Sequence, residues 1–163
     1  MNGNGLNLPE TDLRLEKRGE ETYVWDFIRH RWIVLTPEEW VRQHFSHWMV
    51  ERLGYPIGRL GHEISLKLNG MNRRCDAVFY DLQGKPQIIM EFKAPTIQIS
   101  QLTFNQICRY NIVMQVPLLI VSNGITHYCC LINDNGKKIE FLRNIPCYEG
   151  TPDFIARLNL RPR

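Results

Sequence analysis

The chain has 163 residues and a formal net charge of +3, which fits one domain and permits a nucleic-acid partner without demanding one. No apolar stretch approaches the ~20 residues that cross a membrane, and the polar first residues lack the apolar core of a signal peptide. Five cysteines without a CxxC pair predict reduced thiols, not disulfides or a zinc site. We therefore expect a cytoplasmic protein with no membrane contact.

The N-terminal part begins with a polar segment. Residues 1–21 are predicted to form a loosely packed N-terminal arm, because leucines are their only apolar anchors. Two short strands are predicted next, at 23–26 and 31–34. The α/β domain is expected to span residues 22–145, and residues 146–163 to form a C-terminal tail with a short helix at 152–158.

The first helix has a clear start signal. Thr36 suits the N-cap, Pro37 the first helical position, and Glu39 the third position, where it completes a capping box. Glu38 lies three residues before Val41 on the apolar stripe, so it is predicted on the buried face. Glu39 is turned away by about 100°.

Two strands joined by a turn follow the helix. A strand is predicted at 63–68, and the next one contains Asp76. After a turn at 81–86, the apolar run 88–90 predicts a buried strand that ends at Glu91 and Lys93. Residues i and i+2 of a strand share a face. If the two strands pair as a hairpin, Asp76 lies near Glu91 and Lys93.

Two carboxylates and a lysine at one sheet end have a chemical use. Carboxylate oxygens are ligands that Mg²⁺ prefers, and a lysine can stabilise charge on a phosphate. The alternative is a surface hairpin with an ordinary Glu91–Lys93 pair, which the short motif alone favours. The basic pair Arg73 and Arg74 fits phosphate contact and a solvated turn equally well.

The C-terminal half predicts a helix and three strands. The helix runs from residue 98 onward, and Gln106 and Tyr110 lie one turn apart on one face, within reach of Glu91 and Lys93 or simply at the edge of the core. The apolar run 116–124 predicts a central, parallel strand, and strands follow at 126–132 and 138–142. The fold class is α/β, with a mixed central sheet flanked by helices.

These residues carry a family resemblance. Asp76 followed by Glu91, Phe92 and Lys93 resembles the signature of the PD-(D/E)XK nuclease superfamily, although Cys75 stands where a proline usually precedes the first aspartate. The stretch from Thr36 to Tyr128 resembles the N-terminal nuclease-type domain of type I restriction enzyme R subunits, including short free-standing versions. The matching pieces are 36–43, 68–70, 74–76, 91–95, 106–111 and 121–124.

The resemblance implies a restriction-endonuclease-like fold and Mg²⁺-dependent hydrolysis of DNA, with Mn²⁺ as a substitute. It implies metal binding by Asp76 and Glu91, water positioning by Lys93, and an auxiliary role for Glu38. Gln106 and Tyr110 are similar to a supporting motif of RecB-type members. DNA and a restriction-modification protein are the implied partners.

A second interpretation stays open beside the nuclease. The chain could be a non-catalytic module that keeps the fold and binds nucleic acid or a protein. The sequence contains no ATPase phosphate-binding motif, so it predicts no motor activity. It leaves open DNA or RNA, single or double strands, sequence specificity and the oligomeric state.

Overall fold

A computed structural model describes residues 5–133 and 138–149 of the chain. It begins with a small antiparallel sheet of three strands in sequence order, β1 (Leu15–Arg18), β2 (Glu21–Asp26) and β3 (Arg31–Val34). Strands β2 and β3 confirm the predicted pair, and β1 adds a strand that the sequence did not predict.

The segment before β1 belongs to the body of the protein. Leu6 and Leu8 are each 1% exposed, and the main-chain N–H of Asn7 donates to the carbonyl of Gly124 at 2.7 Å. A Cβ on Gly124 would lie only 2.7 Å from Leu6, so the packing there is close. The expectation of a loosely packed arm is therefore wrong for residues 6–8, whereas residues 15–21 are exposed and the limits 1–21 stay a prediction.

The central sheet has six strands in the order β4-β5-β6-β7-β8-β9. Neighbouring strands are antiparallel except β6 and β7, which are parallel. This confirms the α/β class, the mixed sheet and the predicted parallel strand. The strands are β4 (Leu60–Leu68), β5 (Met71–Tyr80), β6 (Pro86–Phe92), β7 (Leu118–Ser122), β8 (His127–Asn133) and β9 (Lys138–Leu142).

Two helices, α1 (Pro37–Glu51) and α2 (Gln101–Met114), cover opposite faces of this sheet. The first core lies between α1 and the sheet and contains Phe45 and Phe92. The second core lies between α2 and the sheet and contains Val78 and Ile107. A short 3₁₀ turn, Ile57–Arg59, leads into β4.

Two of the five cysteines are neighbours on β8. All five thiols are free. Cys129 packs in the first core and Cys130 in the second, so these neighbours face opposite sides of β8. Within the described residues, the helices are too short or too polar to cross a membrane.

The chain after β9 returns to α1. The main-chain N–H of Tyr148 donates to the carbonyl of Leu53 at 2.7 Å, and its ring packs against Tyr55 and Phe79. The predicted helix at 152–158 lies outside the described residues, and the domain limits 22–145 stay a prediction.

The side chains of β4 and β5 switch from one core to the other at Glu63 and Asp76. His62 pairs with Ala77 and Ile64 with Cys75. Ala77 packs in the first core, whereas Ile64 and Cys75 pack in the second. Glu63 has a φ of 57°, which is uncommon for a residue with a side chain. This irregularity leaves Asp76 between the two cores.

Candidate active site

Asp76 meets the end of β6. Ala77 pairs with Met90, so Asp76 and Glu91 occupy the next position on their respective strands. Asp76 Oδ2 accepts a hydrogen bond of 2.6 Å from the main-chain N–H of Phe92. The predicted convergence of these two acidic residues therefore follows from the hairpin.

Glu91 is the most enclosed member of the group. It is 2% exposed, and its Oε1 accepts from Lys93 Nζ at 2.8 Å and from Gln106 Nε2 at 2.5 Å. Gln106 also donates to the hydroxyl of Tyr110 at 3.1 Å. The other oxygen, Oε2, is buried without a hydrogen-bond partner among the described residues. The structure thus joins β6 and α2 around one carboxylate with a free oxygen.

The environment shifts the protonation of this pair. Burial, followed by the charge of Asp76, raises the pKa of Glu91 to about 7 in spite of the lowering effect of Lys93. Burial alone would lower the pKa of Lys93, but its hydrogen bond to Glu91 raises it above the ordinary value. Lys93 is therefore a cation at neutral pH, where Glu91 changes its charge.

The two glutamates that open α1 differ from the expected arrangement. Thr36 Oγ1 accepts from the main-chain N–H of Glu39 at 3.1 Å, which is half of the capping box. Glu39 is only 7% exposed, whereas the side chain of Glu38 is 41% exposed. The expectations that Glu38 lies on the buried face and that Glu39 turns away from it were both wrong, because Glu39 is the enclosed residue of the two.

Glu38 nevertheless lies within electrostatic reach of the group. Burial, followed by the charge of Asp76, raises the pKa of Glu38, while Lys93 lowers it. Its exposure and these interactions place the Glu38 carboxylate at the solvent side of the Asp76–Glu91–Lys93 group.

Arg42 is a residue that the sequence analysis missed. Its side chain is 4% exposed, and its guanidinium contacts Asp76 at 2.9 Å, Glu39 at 2.7 Å and Glu63 at 2.6 Å. Burial alone would lower the pKa of Arg42, but these carboxylates raise it. Arg42 lies four residues after Glu38 and three after Glu39, a spacing at which helical side chains can pair, so these two contacts were predictable from the sequence. The contacts with Glu63 and Asp76 depend on the fold and were not.

A second polar cluster adjoins Arg42. Ligand atoms of Asp26, Glu39 and His62 lie within 4.8 Å of one another, in an arrangement that could hold a metal ion. Every one of these atoms already has a protein partner. Asp26 binds Arg29 and His62, His62 also binds Ser46, and Glu39 binds Arg29, Arg42 and Gln43. The cluster therefore serves as an ion-pair network that fixes α1 to β2 and β4.

The two basic residues before Asp76 lie toward solvent. Arg73 and Arg74 are exposed on β5, and the Arg74 guanidinium forms an ion pair with Glu63. Glu63 also binds Arg42. Arg74 is thus linked to Asp76 through three successive ion pairs, by way of Glu63 and Arg42, and the role of both arginines in nucleic-acid binding stays a prediction.

Comparison with known proteins decides the family. Residues 37–146 match the family described as type I restriction enzyme R protein N terminus. The chain belongs to this family. Its domain is part of the PD-(D/E)XK nuclease-like group, as the resemblance implied, and the function is related to restriction enzymes. No curated protein matches the chain.

The oxygen donors of this restriction-enzyme domain fit a hard divalent cation. Glu91 Oε2 is a buried acceptor without a partner, and carboxylate oxygens suit Mg²⁺. Asp76 Oδ1 accepts from Arg42 and Oδ2 from the main-chain N–H of Phe92, so an ion at Asp76 would share an oxygen with one of these donors or displace the guanidinium. Glu39 and Glu63 would keep Arg42 charged and paired after such a change.

Proposed function

We propose that this restriction-enzyme domain is a Mg²⁺-dependent endonuclease that hydrolyses phosphodiester bonds of DNA, with Mn²⁺ able to replace Mg²⁺. The observation that carries the proposal is the buried Glu91–Lys93 pair, with the unpartnered Glu91 Oε2 and with Asp76 on the neighbouring strand. A lone surface Glu–Lys pair would have neither burial nor a second carboxylate.

Asp76 and Glu91 would hold the metal. When bound, Mg²⁺ would polarise a phosphate oxygen and lower the pKa of a coordinated water. Gln106 holds Glu91 Oε1 through its amide and leaves Oε2 for the ion. Tyr110 fixes the Gln106 amide in turn, so both α2 residues support the orientation of one carboxylate.

Lys93 would act on the phosphate and the attacking water. Its ammonium, held 2.8 Å from Glu91 Oε1, is a positioned cation where negative charge develops during phosphoryl transfer. The attacking water releases a proton to solvent as its oxygen bonds to phosphorus, the bond from phosphorus to the leaving oxygen breaks, and solvent protonates that oxygen. Glu38, at the solvent side, would hold a water of the ion's outer shell.

The proposed partners are DNA and other proteins of a restriction-modification system, in the cytoplasm. Exposed Arg73 and Arg74 on β5 would contact phosphates, since arginine forms bidentate contacts with them. A translocating motor would have to come from a partner or from a further region, because this sequence contains no ATPase phosphate-binding motif.

A non-catalytic binding module is the second candidate. Its support is Arg42, which binds Asp76 Oδ1 at 2.9 Å and so supplies a positive charge beside the position of the proposed ion. On this alternative, the guanidinium replaces the metal permanently, and the domain binds nucleic acid or a protein without cleavage.

Nicking of supercoiled plasmid separates the two candidates. We expect wild-type protein to nick with Mg²⁺ and not with EDTA, and Asp76→Asn to lower the rate by about 100-fold or more, because a positioned charge is lost. Asp12→Asn, at an exposed position before β1, is the matched control and should nick at the wild-type rate. Plasmid binding without nicking in Mg²⁺ or Mn²⁺ would favour the binding module.

A further inference from the structure

We propose that three aromatic side chains beside the candidate active site bind unpaired bases of the nucleic-acid strand. These residues, Phe104 of α2, Tyr128 of β8 and Phe141 of β9, are named the aromatic shelf. The inference rests on the proposed nuclease function for its ligand, and it adds that the substrate presents a single-stranded stretch.

The three rings form one contiguous surface. Ring centroids lie 5.3 Å apart for Phe104 and Tyr128, 5.7 Å for Phe104 and Phe141, and 6.4 Å for Tyr128 and Phe141. Phe141 is 60% exposed and Tyr128 37% exposed. The rings meet edge to face, with interplanar angles of 77°, 73° and 78°, and the exposed parts of Phe141 and Tyr128 offer the stacking contacts that bases make with aromatic side chains in proteins that bind single strands.

The shelf is uncovered because of where α2 lies. Helix α2 packs chiefly over β4, β6 and β7, so the same face of β8 and β9 is left open beside it by the described residues, 5–133 and 138–149. A groove of about 340 Å³ runs there, between α2 and the two strands. The shelf lines this groove together with Ser100, Cys130 and Ile139.

The shelf and the active site share one row of the sheet. Glu91 is level with Val121 of β7, and Val121 is level with Tyr128 of β8. Contact with Phe104 of α2 puts Tyr128 on the face where Gln106 of α2 reaches Glu91. Two strand spacings separate Glu91 from Tyr128, roughly 10 Å, or about three nucleotides at the 3.4 Å rise of a stacked strand.

The charges around the shelf suit a phosphate backbone. Among the described residues, the groove lining contains no charged side chain, so no carboxylate there repels phosphate. The first turn of α2 has no acidic residue, and the Ser100 side chain does not cap it; its N–H groups therefore favour a negative group. Arg143 is exposed directly after the end of β9, next to the last pair of that strand, Leu142 and Cys129.

Binding of a short oligonucleotide tests the shelf. Fluorescence anisotropy of labelled dT12 and of a 12-base-pair duplex is measured in EDTA, which stops metal-dependent cleavage. Stacking contributes about 1–3 kcal/mol per base, so Phe141→Ala should weaken dT12 binding by about 5-fold or more and duplex binding less. Phe141→Trp should preserve dT12 binding. An oligonucleotide with abasic positions should bind wild type less tightly than dT12, and Phe141→Ala should discriminate less between the two.

The matched control is Ile112→Ala. Ile112 is 70% exposed and lies toward the other end of α2, beside a cleft of about 750 Å³ that adjoins the groove and shares Cys108 and Ile139 with it but contains none of the three shelf rings. This variant should bind dT12 as wild type does. Circular dichroism checks that each variant is folded. Because Phe141 and Ile112 are exposed, we expect both variants to fold.

Several outcomes would overturn the inference. The first is equal dT12 binding by wild type and Phe141→Ala, and the second is an absence of dT12 binding by wild type. The third is loss of a dimer in Phe141→Ala with unchanged dT12 binding, which would assign the shelf to contact between two copies of the chain. Plasmid nicking with unchanged dT12 binding in Phe141→Ala would refute the shelf and leave the nuclease proposal standing. If dT12 binding depends on Phe141 but the protein does not nick plasmid, the shelf proposal stands and the nuclease proposal is refuted.

Discussion

Glu91 is a buried carboxyl whose charge the fold disfavours. Its pKa lies at about 7 in the folded protein, above the ordinary 4.5, so the folded state binds this proton more tightly than the unfolded chain does. Between about pH 4.5 and about pH 7, the unfolded chain has released this proton and the folded protein still holds it. The free energy of unfolding therefore falls as pH rises through this range. The difference corresponds to at most about 3 kcal/mol.

Glu91→Gln should remove this pH dependence. Urea unfolding of the metal-free protein at pH 5 and pH 8 measures it. We expect the wild type to lose stability between these values and the variant to lose less, because a glutamine does not ionise. Glu20→Gln, at an exposed turn position, should follow the wild type. Equal losses in wild type and Glu91→Gln would show that Glu91 titrates normally.

The site residues that could be predicted from the sequence are those related by the local periodicity of a strand or a helix. Strand alternation placed Glu91 and Lys93 on one face, and helical spacing placed Gln106 and Tyr110 one turn apart. The burial of Arg42 followed no local rule, because its partners Glu63 and Asp76 come from other strands. Glu39 points inward because its carboxylate binds Arg29, from outside α1, and Arg42, one helical turn away, and these contacts draw it away from the capping box.

At the scale of elements, α1 is joined to the sheet by charge as well as by apolar contact. Phe45 packs on Phe92 with ring centroids 5.2 Å apart, and Arg42 binds carboxylates of β4 and β5. Strand and helix positions were predictable from alternation and capping. The face change at Glu63 was not, since it depends on how β4 twists against β5.

Arg42→Gln should increase the affinity for a divalent cation. The guanidinium 2.9 Å from Asp76 both repels a cation and binds one of its ligand atoms. Its removal should tighten Mn²⁺ binding by about 10-fold, equivalent to ~1.4 kcal/mol, as measured by isothermal titration calorimetry.

Stability and charge must be controlled in that experiment. Loss of a buried partner costs about 3–5 kcal/mol, so circular dichroism must first show folded protein, and Arg42→Lys supplies a variant that retains the charge. Arg52→Gln, at an exposed position after α1, should bind Mn²⁺ as wild type does. Unchanged or weaker binding in folded Arg42→Gln would show that Arg42 does not compete with the ion.

At the scale of the whole molecule, the fold gathers one site from distant segments. The parallel pair β6–β7 requires a crossover, and α2 in that crossover carries Gln106 to Glu91. The mixed sheet was predictable because β7 is continuously apolar. The packing of Leu6 against Gly124 was not, because no local pattern connects positions so far apart in the sequence.

Lys93 tests the central claim most directly, because its proposed role lies in the transition state. Its side chain is only 22% exposed and pairs with the buried Glu91, so loss of the ammonium should lower the free energy of unfolding by about 1–3 kcal/mol and leave the protein folded. We expect Lys93→Ala to lower the Mg²⁺-dependent nicking rate by about 100-fold or more, with an unchanged circular dichroism spectrum. Lys85→Ala, in the exposed turn between β5 and β6, should nick at the wild-type rate. A folded Lys93→Ala protein that nicks as fast as wild type would contradict the assignment of cleavage to this site.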